Sequence, residues 1–208
     1  SDGADRDMID AALALPITEG IDGDTLLTSL ALALRERADP KSLRAPARAT
    51  PTMFLRAGQY DPELHHWSHL AVGVPGTVAG LHMAWKDQGR LPWRRLVEPA
   101  VLLAREGFVV TDGLARSLRD ALPEMKRYPA SVAQFSRAGV PYEPGDLLQQ
   151  PDLARTLERI AREGPAGFYQ GETARLIEAE MEAGGGLITR ADLEAYRPLR
   201  RAPLRGSY

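Results

Sequence analysis

The 208-residue sequence contains no cysteine, which removes disulfides, thiol nucleophiles and thiolate metal sites from consideration and leaves the compartment open. A formal net charge of −2 gives no electrostatic reason to expect nucleic acid or an anionic membrane as partner. No apolar run approaches the roughly 18 residues of a membrane span. No Gly-x-Ser-x-Gly elbow and no Gly-Lys-Ser/Thr phosphate loop occurs. Ser1 in place of methionine predicts a processed, truncated or engineered start.

What remains is ordinary for a globular protein: 44% hydrophobic and 26% charged residues, enough for one domain with a core or a large piece of a bigger one. The chain is organised around Leu70–Trp93. Leu70 to Val74 is a short apolar run bounded by Pro75-Gly76 and predicts a buried strand ending in a turn. Thr77 is placed to cap the helix that follows, and Gly89 to end it. Gly73, Gly76 and Gly80 do not fit Gly-x-Gly-x-x-Gly, so they predict tight turns and close packing, and a phosphate site there is rejected.

Along the rest of the chain, residues 1–6 predict a frayed end. Asp7–Leu15 reads as a helix stopped by Pro16, and Ile17–Asp24 as a turn-rich loop. Thr25–Arg37 is helical by propensity, yet Leu30–Leu34 alternates like a strand. Gly58–Ser68 reads as a polar loop. Trp93–Val97 predicts a short helix, and Pro99 the first turn of another, ended by Gly107. Thr111 or Asp112 caps a helix with Leu114, Leu118 and Leu122 on one face. Tyr128–Gly139 holds a brief helix and Pro141–Gln149 a loop. Gln150-Pro151-Asp152 opens the most regular helix, with Leu153, Leu157, Ile160 and Ala161 on one face and Gly164-Pro165 as its stop. Glu172–Ala183 repeats the pattern with Ile177 and Met181, ahead of Gly184-Gly185-Gly186. Thr189–Asp192 is a capping box with aspartate in place of glutamate. The expected fold is mainly α with a few short strands.

Candidate chemistry is sparse. His65, His66 and His69 cluster, and a helix would put His65 and His69 on one face. No carboxylate at motif spacing accompanies them, so solvated histidines are expected, with no native metal. His82 lies mid-helix without a neighbouring nucleophile and reads as a packed or half-exposed side chain. The carboxylates around Arg155, Glu158, Arg159, Arg162 and Glu163 read as solvated pairs of little energetic worth. Arg44 differs: its planar fork suits bidentate binding of a carboxylate, and it lies just before Ala45-Pro46 in an apolar, proline-limited loop.

Val72-Gly-Val-Pro-Gly-Thr-Val-Ala-Gly-Leu81, then Gly89-Arg-Leu-Pro-Trp93 and Leu96-Val-Glu-Pro-Ala-Val-Leu-Leu-Ala-Arg-Glu-Gly-Phe108, resembles the γ-glutamyltranspeptidase family. The resemblance continues through Gly145–Thr156, Gly167-Phe-Tyr-Gln-Gly171, Met181–Ile188 and Asp192-Leu-Glu-Ala-Tyr196. It runs from about Asp10 to Tyr208. Gly20-Ile21-Asp22-Gly23-Asp24 is similar to the family's Gly-Ile-Gly-Gly-Asp motif, with Asp22 where glycine is usual. Paired strands are implied near Thr25–Arg37.

The resemblance implies an N-terminal-nucleophile hydrolase, of which residues 1–208 would be a single incomplete domain: part of the helical layer of an α-β-β-α sandwich, within the large subunit. It implies cleavage of γ-glutamyl amides such as glutathione by the N-terminal threonine of a small subunit, with its own amine as base and water or an amine as acceptor. It implies no metal or organic cofactor. None of the ten threonines stands in the nucleophile's context, so this chain alone is expected to be inactive, to need the small subunit as partner, and to be able to self-associate through the uncovered face. Substrate binding is implied for Arg44, which stands in Lys41-Ser-Leu-Arg-Ala-Pro46 where one branch of the family has Gly-Ser-Gly-Arg-Ala-Pro. The register of other members, Arg-Glu-x-Ala-Pro, falls on Ser42. A cephalosporin or glutaryl acylase of the same superfamily and a non-catalytic helical scaffold are the alternatives.

Overall fold

A computed structural model describes residues 45–200. The expectations for residues 1–6, Asp7–Leu15, Ile17–Asp24, Thr25–Arg37, Ser42 and Arg44 lie outside these residues.

The described part opens with a hairpin, β1 (Leu55–Arg56) against β2 (Gln59–Tyr60). It is closed by Ala57 at φ 50° and Gly58 at φ 78°, both left-handed as a type I′ turn requires. Helix α1 (Pro62–Trp67) follows, capped by Asp61, whose carboxylate accepts from the Glu63 and Leu64 amides. The stretch expected as a polar loop is therefore a strand and a helix.

Leu70–Val74 is not a strand. Ser68 ends α1 and its hydroxyl accepts from the Leu70 amide, turning His69–Ala71 into a 3₁₀ turn; only Val74 forms a β-bridge and is buried. Helix α2 (Thr77–Gln88) then begins. Gly76, not Thr77, occupies the cap position, and no side chain caps there locally. The Tyr169 hydroxyl, ninety positions away, accepts from the Ala79 amide at 3.3 Å and satisfies one of the orphan donors of the first turn. Gly89 closes the helix through its own N–H, which donates to the Trp85 carbonyl.

Helix α3 (Trp93–Glu106) runs unbroken through Pro99, where two helices were expected. Pro99 forfeits one intrahelical bond, but Val101 and Ala104 are buried and α3 packs along α6 (Pro151–Glu163). The Trp93 indole donates to the Ile160 carbonyl at 2.9 Å, tying the two helices. In α6 it is Ala154 and Ile160 that are buried, whereas Leu153 is exposed. Gly107 ends α3 at φ 90° and ψ 170°, a conformation that only glycine adopts readily.

Strand β3 (Phe108–Val109) pairs antiparallel with β4 (Leu147–Leu148), Phe108 opposite Leu148. A strand thus lies within the expected Pro141–Gln149 loop. Between them are α4 (Asp112–Met125), capped by Thr111 and burying Ala115, Leu118 and Leu122, and α5 (Pro129–Phe135). The chain continues through α7 (Ala166–Tyr169), α8 (Gly171–Ala183) and α9 (Arg190–Ala195). Val74, Ala79, Tyr169, Ala174, Met181, Ile188 and Leu193 form one core cluster, so α7, α8 and α9 close around the turn that starts α2. The expected mainly α fold with a few short strands is the fold of the described residues.

A candidate substrate-binding segment and its clamp

Helix α9 begins with the capping box expected from the sequence. The Thr189 hydroxyl accepts from the Asp192 amide at 3.2 Å, and Asp192 Oδ2 accepts from the Thr189 amide at 2.9 Å and from its hydroxyl at 2.7 Å. This leaves Oδ1 of the same carboxylate free to serve another partner. It accepts from the Ala47 amide at 2.8 Å, across a separation of 145 positions. Burial disfavours the charged form of Asp192, but the donors at Ala47 and Thr189 and the nearby Arg48 cation outweigh it and hold the carboxyl below its usual range. At physiological pH the clamp is an anion, which strengthens these hydrogen bonds.

The segment so held continues into a turn closed by the Ala49 amide, which donates to the Pro46 carbonyl at 2.9 Å; Pro46 is buried. Arg44, the expected substrate-binding residue, lies three positions before Ala47 and outside the described residues. Local sequence gave no sign of the bond between Asp192 and Ala47.

Helix α9 is itself fixed at several points. Glu178 on α8 accepts from the Arg190 backbone at 2.9 Å and from its guanidinium at 2.8 Å. Leu193 is fully buried. Tyr196, just past the helix, stacks on Tyr169 with centroids 5.5 Å and planes 3° apart, and its hydroxyl lies only 2.2 Å from where a Cβ on Gly76 would stand. Tyr169 donates to the Pro75 carbonyl at 2.8 Å, and burial pushes its phenol up to about 12. The Val-Pro-Gly-Thr turn is thus a packed junction, as the rejection of a phosphate site requires.

His69 separates from His65 and His66. His65 and His66 sit on α1 facing the Tyr60 hydroxyl, at 2.7 and 3.3 Å. His69 lies beyond the end of α1 and reaches Glu180 at 3.1 Å. It fills the space over Gly184 and Gly186, which explains the glycine run after α8. Among the described residues no group of three or more His, Cys, Asp or Glu could hold a metal ion. His82 packs between Trp85 and Trp93, with ring centroids 5.1 and 4.9 Å away, as a half-buried side chain. Thr173 is buried, donating to the Gly167 carbonyl and accepting from Arg159, while Thr111 and Thr189 are helix caps.

The family model described as gamma-glutamyltranspeptidase matches residues 10–208. This chain belongs to the γ-glutamyltranspeptidase family. It is 45% identical over 166 residues to the glutathione hydrolase proenzyme of Escherichia coli K12, covering 79% of this chain and 29% of that protein. The crystal structure of Helicobacter pylori gamma-glutamyltranspeptidase matches with a TM-score of 0.77 and 40% identity, over 80% of this chain and 48% of that one. The cephalosporin acylase of Bacillus halodurans matches with a TM-score of 0.73 and 31% identity, over 80% of this chain and 32% of that one. The γ-glutamyltranspeptidase segment seen here therefore spans less than a third of the length of its Escherichia coli relative.

Proposed function

We propose that this chain is large-subunit sequence of a self-processing γ-glutamyltransferase that cleaves γ-glutamyl amides such as glutathione and passes the acyl group to water or an amine. The observation that carries this reading is the family match over residues 10–208, supported by a relative that is 45% identical and named a glutathione hydrolase proenzyme. In the proposed reaction the hydroxyl of a small subunit's N-terminal threonine attacks the γ-carbonyl, its α-amine takes the proton, and the amine leaving group departs protonated. Water or an acceptor amine then releases the acyl group. This chemistry calls for no metal or organic cofactor. Residues 1–208 would be one incomplete domain, completed by the small subunit; by themselves they would be inactive and able to self-associate through the uncovered face. Among the described residues no helix is long and apolar enough to cross a membrane, and the compartment stays open.

Within this chain the proposed substrate contact is Arg44, its guanidinium gripping the donor's α-carboxylate in a bidentate pair; in the other register the position falls on Ser42. The test is hydrolysis of γ-glutamyl-p-nitroanilide by the product of the complete reading frame. Turnover is expected, none is expected from residues 1–208 alone, and Arg44→Ala should raise KM by about 10- to 100-fold, the value of a charged hydrogen-bonding group. The likeness to a cephalosporin acylase favours one second reading, acyl transfer from a glutaryl side chain. Preference for glutaryl-p-nitroanilide over the γ-glutamyl compound would select it.

A further inference from the structure

We propose that Tyr60, His65 and His66 form a surface site for a borderline divalent transition metal, copper(II) above all, separate from the acyl-transfer chemistry. The ground is the convergence of three donor atoms. The Tyr60 hydroxyl lies 2.7 Å from His65 Nδ1 and 3.3 Å from His66 Nε2. Two donors held cis at about 2.0–2.1 Å from a metal stand about 2.9–3.4 Å apart, so both separations are close to those around a shared ion. The two imidazole rings lie 4.5 Å apart, near enough for one ion to meet both. A phenol has one proton to donate, so it can serve only one of the two nitrogens as an acceptor. An ion between them takes a lone pair from all three.

The backbone sets the spacing beforehand. Tyr60 ends β2 opposite Leu55, and α1 starts two residues later at Pro62, with Asp61 as its cap. Phe54 packs on the His65 ring, with centroids 4.7 Å apart. The neighbouring carboxylates are engaged elsewhere, Asp61 with Arg56 and the α1 amides and Glu63 with Arg127. Two imidazoles and a phenol therefore make up the donor set. Calcium and magnesium prefer all-oxygen sites, whereas imidazole suits zinc, nickel and copper, and affinity among these ions peaks at copper(II). All three side chains are exposed, so the ion has a path in and keeps positions open to water. On binding, the Tyr60 O–H bond breaks, its proton passes to solvent, and the phenolate oxygen bonds the metal, whose oxidation state is unchanged.

The untagged product of the complete reading frame is titrated with copper(II) chloride in a non-chelating buffer, and binding is followed by calorimetry and visible absorption. His65→Ala and His66→Ala are each expected to weaken binding of one copper ion by at least about 10-fold, since even outer-shell partners of a metal are worth that much. Tyr60→Phe is expected to abolish a phenolate-to-copper charge-transfer band that the wild-type protein shows. Wild-type affinity in either histidine variant overturns the site. So does a wild-type protein without that band, or a band that survives Tyr60→Phe, because the third donor is then not Tyr60. Should a variant fail to fold, electron paramagnetic resonance of the wild-type protein carrying one copper decides. Coupling to two imidazole nitrogens supports the site, and coupling to fewer overturns it.

Discussion

Tyr196 lies flat on Tyr169, planes 3° apart, and its hydroxyl occupies the space that a Cβ on Gly76 would need. The relationship joins the start of α2 to the end of α9, and it gives the glycine of the Val-Pro-Gly-Thr turn a packing role. A methyl there would push Tyr196 off its partner. Gly76→Ala is expected to cost about 1–3 kcal/mol, the range for overpacking, measured by urea denaturation. Tyr169→Phe, which removes the bonds to Pro75 and Ala79, should cost about 1–2 kcal/mol. Wild-type stability in both variants would contradict this packing.

Two Ala-Gly pairs turn with left-handed backbone at both positions: Ala57-Gly58, and Ala138-Gly139 at φ 52° and 88°. Alanine bears a steric cost there of about 1–2 kcal/mol, which asparagine largely avoids. Ala57→Asn and Ala138→Asn should each stabilise by about 0.5–1 kcal/mol, or about 1–4 °C in Tm for a chain of this size. Ala57→Val should destabilise. A thermal scan of the three variants checks both directions.

Burial between two tryptophans, with Lys86 adding to it, lowers the pKa of His82 below its ordinary 6.5. The folded protein therefore binds fewer protons than the unfolded chain once pH falls below about 6.5, and stability declines on acidification. His82→Gln should shrink the loss of Tm between pH 7 and pH 5. Equal losses in the two proteins would remove His82 from the pH dependence.

The parts of this fold legible in sequence are those with local punctuation. Pro151 and Gly164 bracket α6, Thr189 and Asp192 write the cap of α9, and Gly89 ends α2. Most of the misreadings have long-range causes, and one has a local cause. Leu70–Val74 has strand composition, yet Ser68 nucleates a 3₁₀ turn. The cap expected from Thr77 comes instead from Tyr169. Pro99 reads as a helix start, but burial of Val101 and Ala104 against α6 carries one helix through it. Strand β4 is two residues whose partner lies forty positions away. Of the candidate site, Arg44 lies outside the described residues, and the bond from the Ala47 amide to Asp192 had no local sign because its partners are 145 positions apart.

The measurement that tests the account most directly is intact mass, with N-terminal sequencing, of the protein made from the complete reading frame. The account predicts two polypeptides, the larger containing residues 1–208 and the smaller beginning with threonine. A single uncut polypeptide without γ-glutamyl-p-nitroanilide turnover would contradict self-processing and acyl transfer, and leave a helical scaffold of the same family.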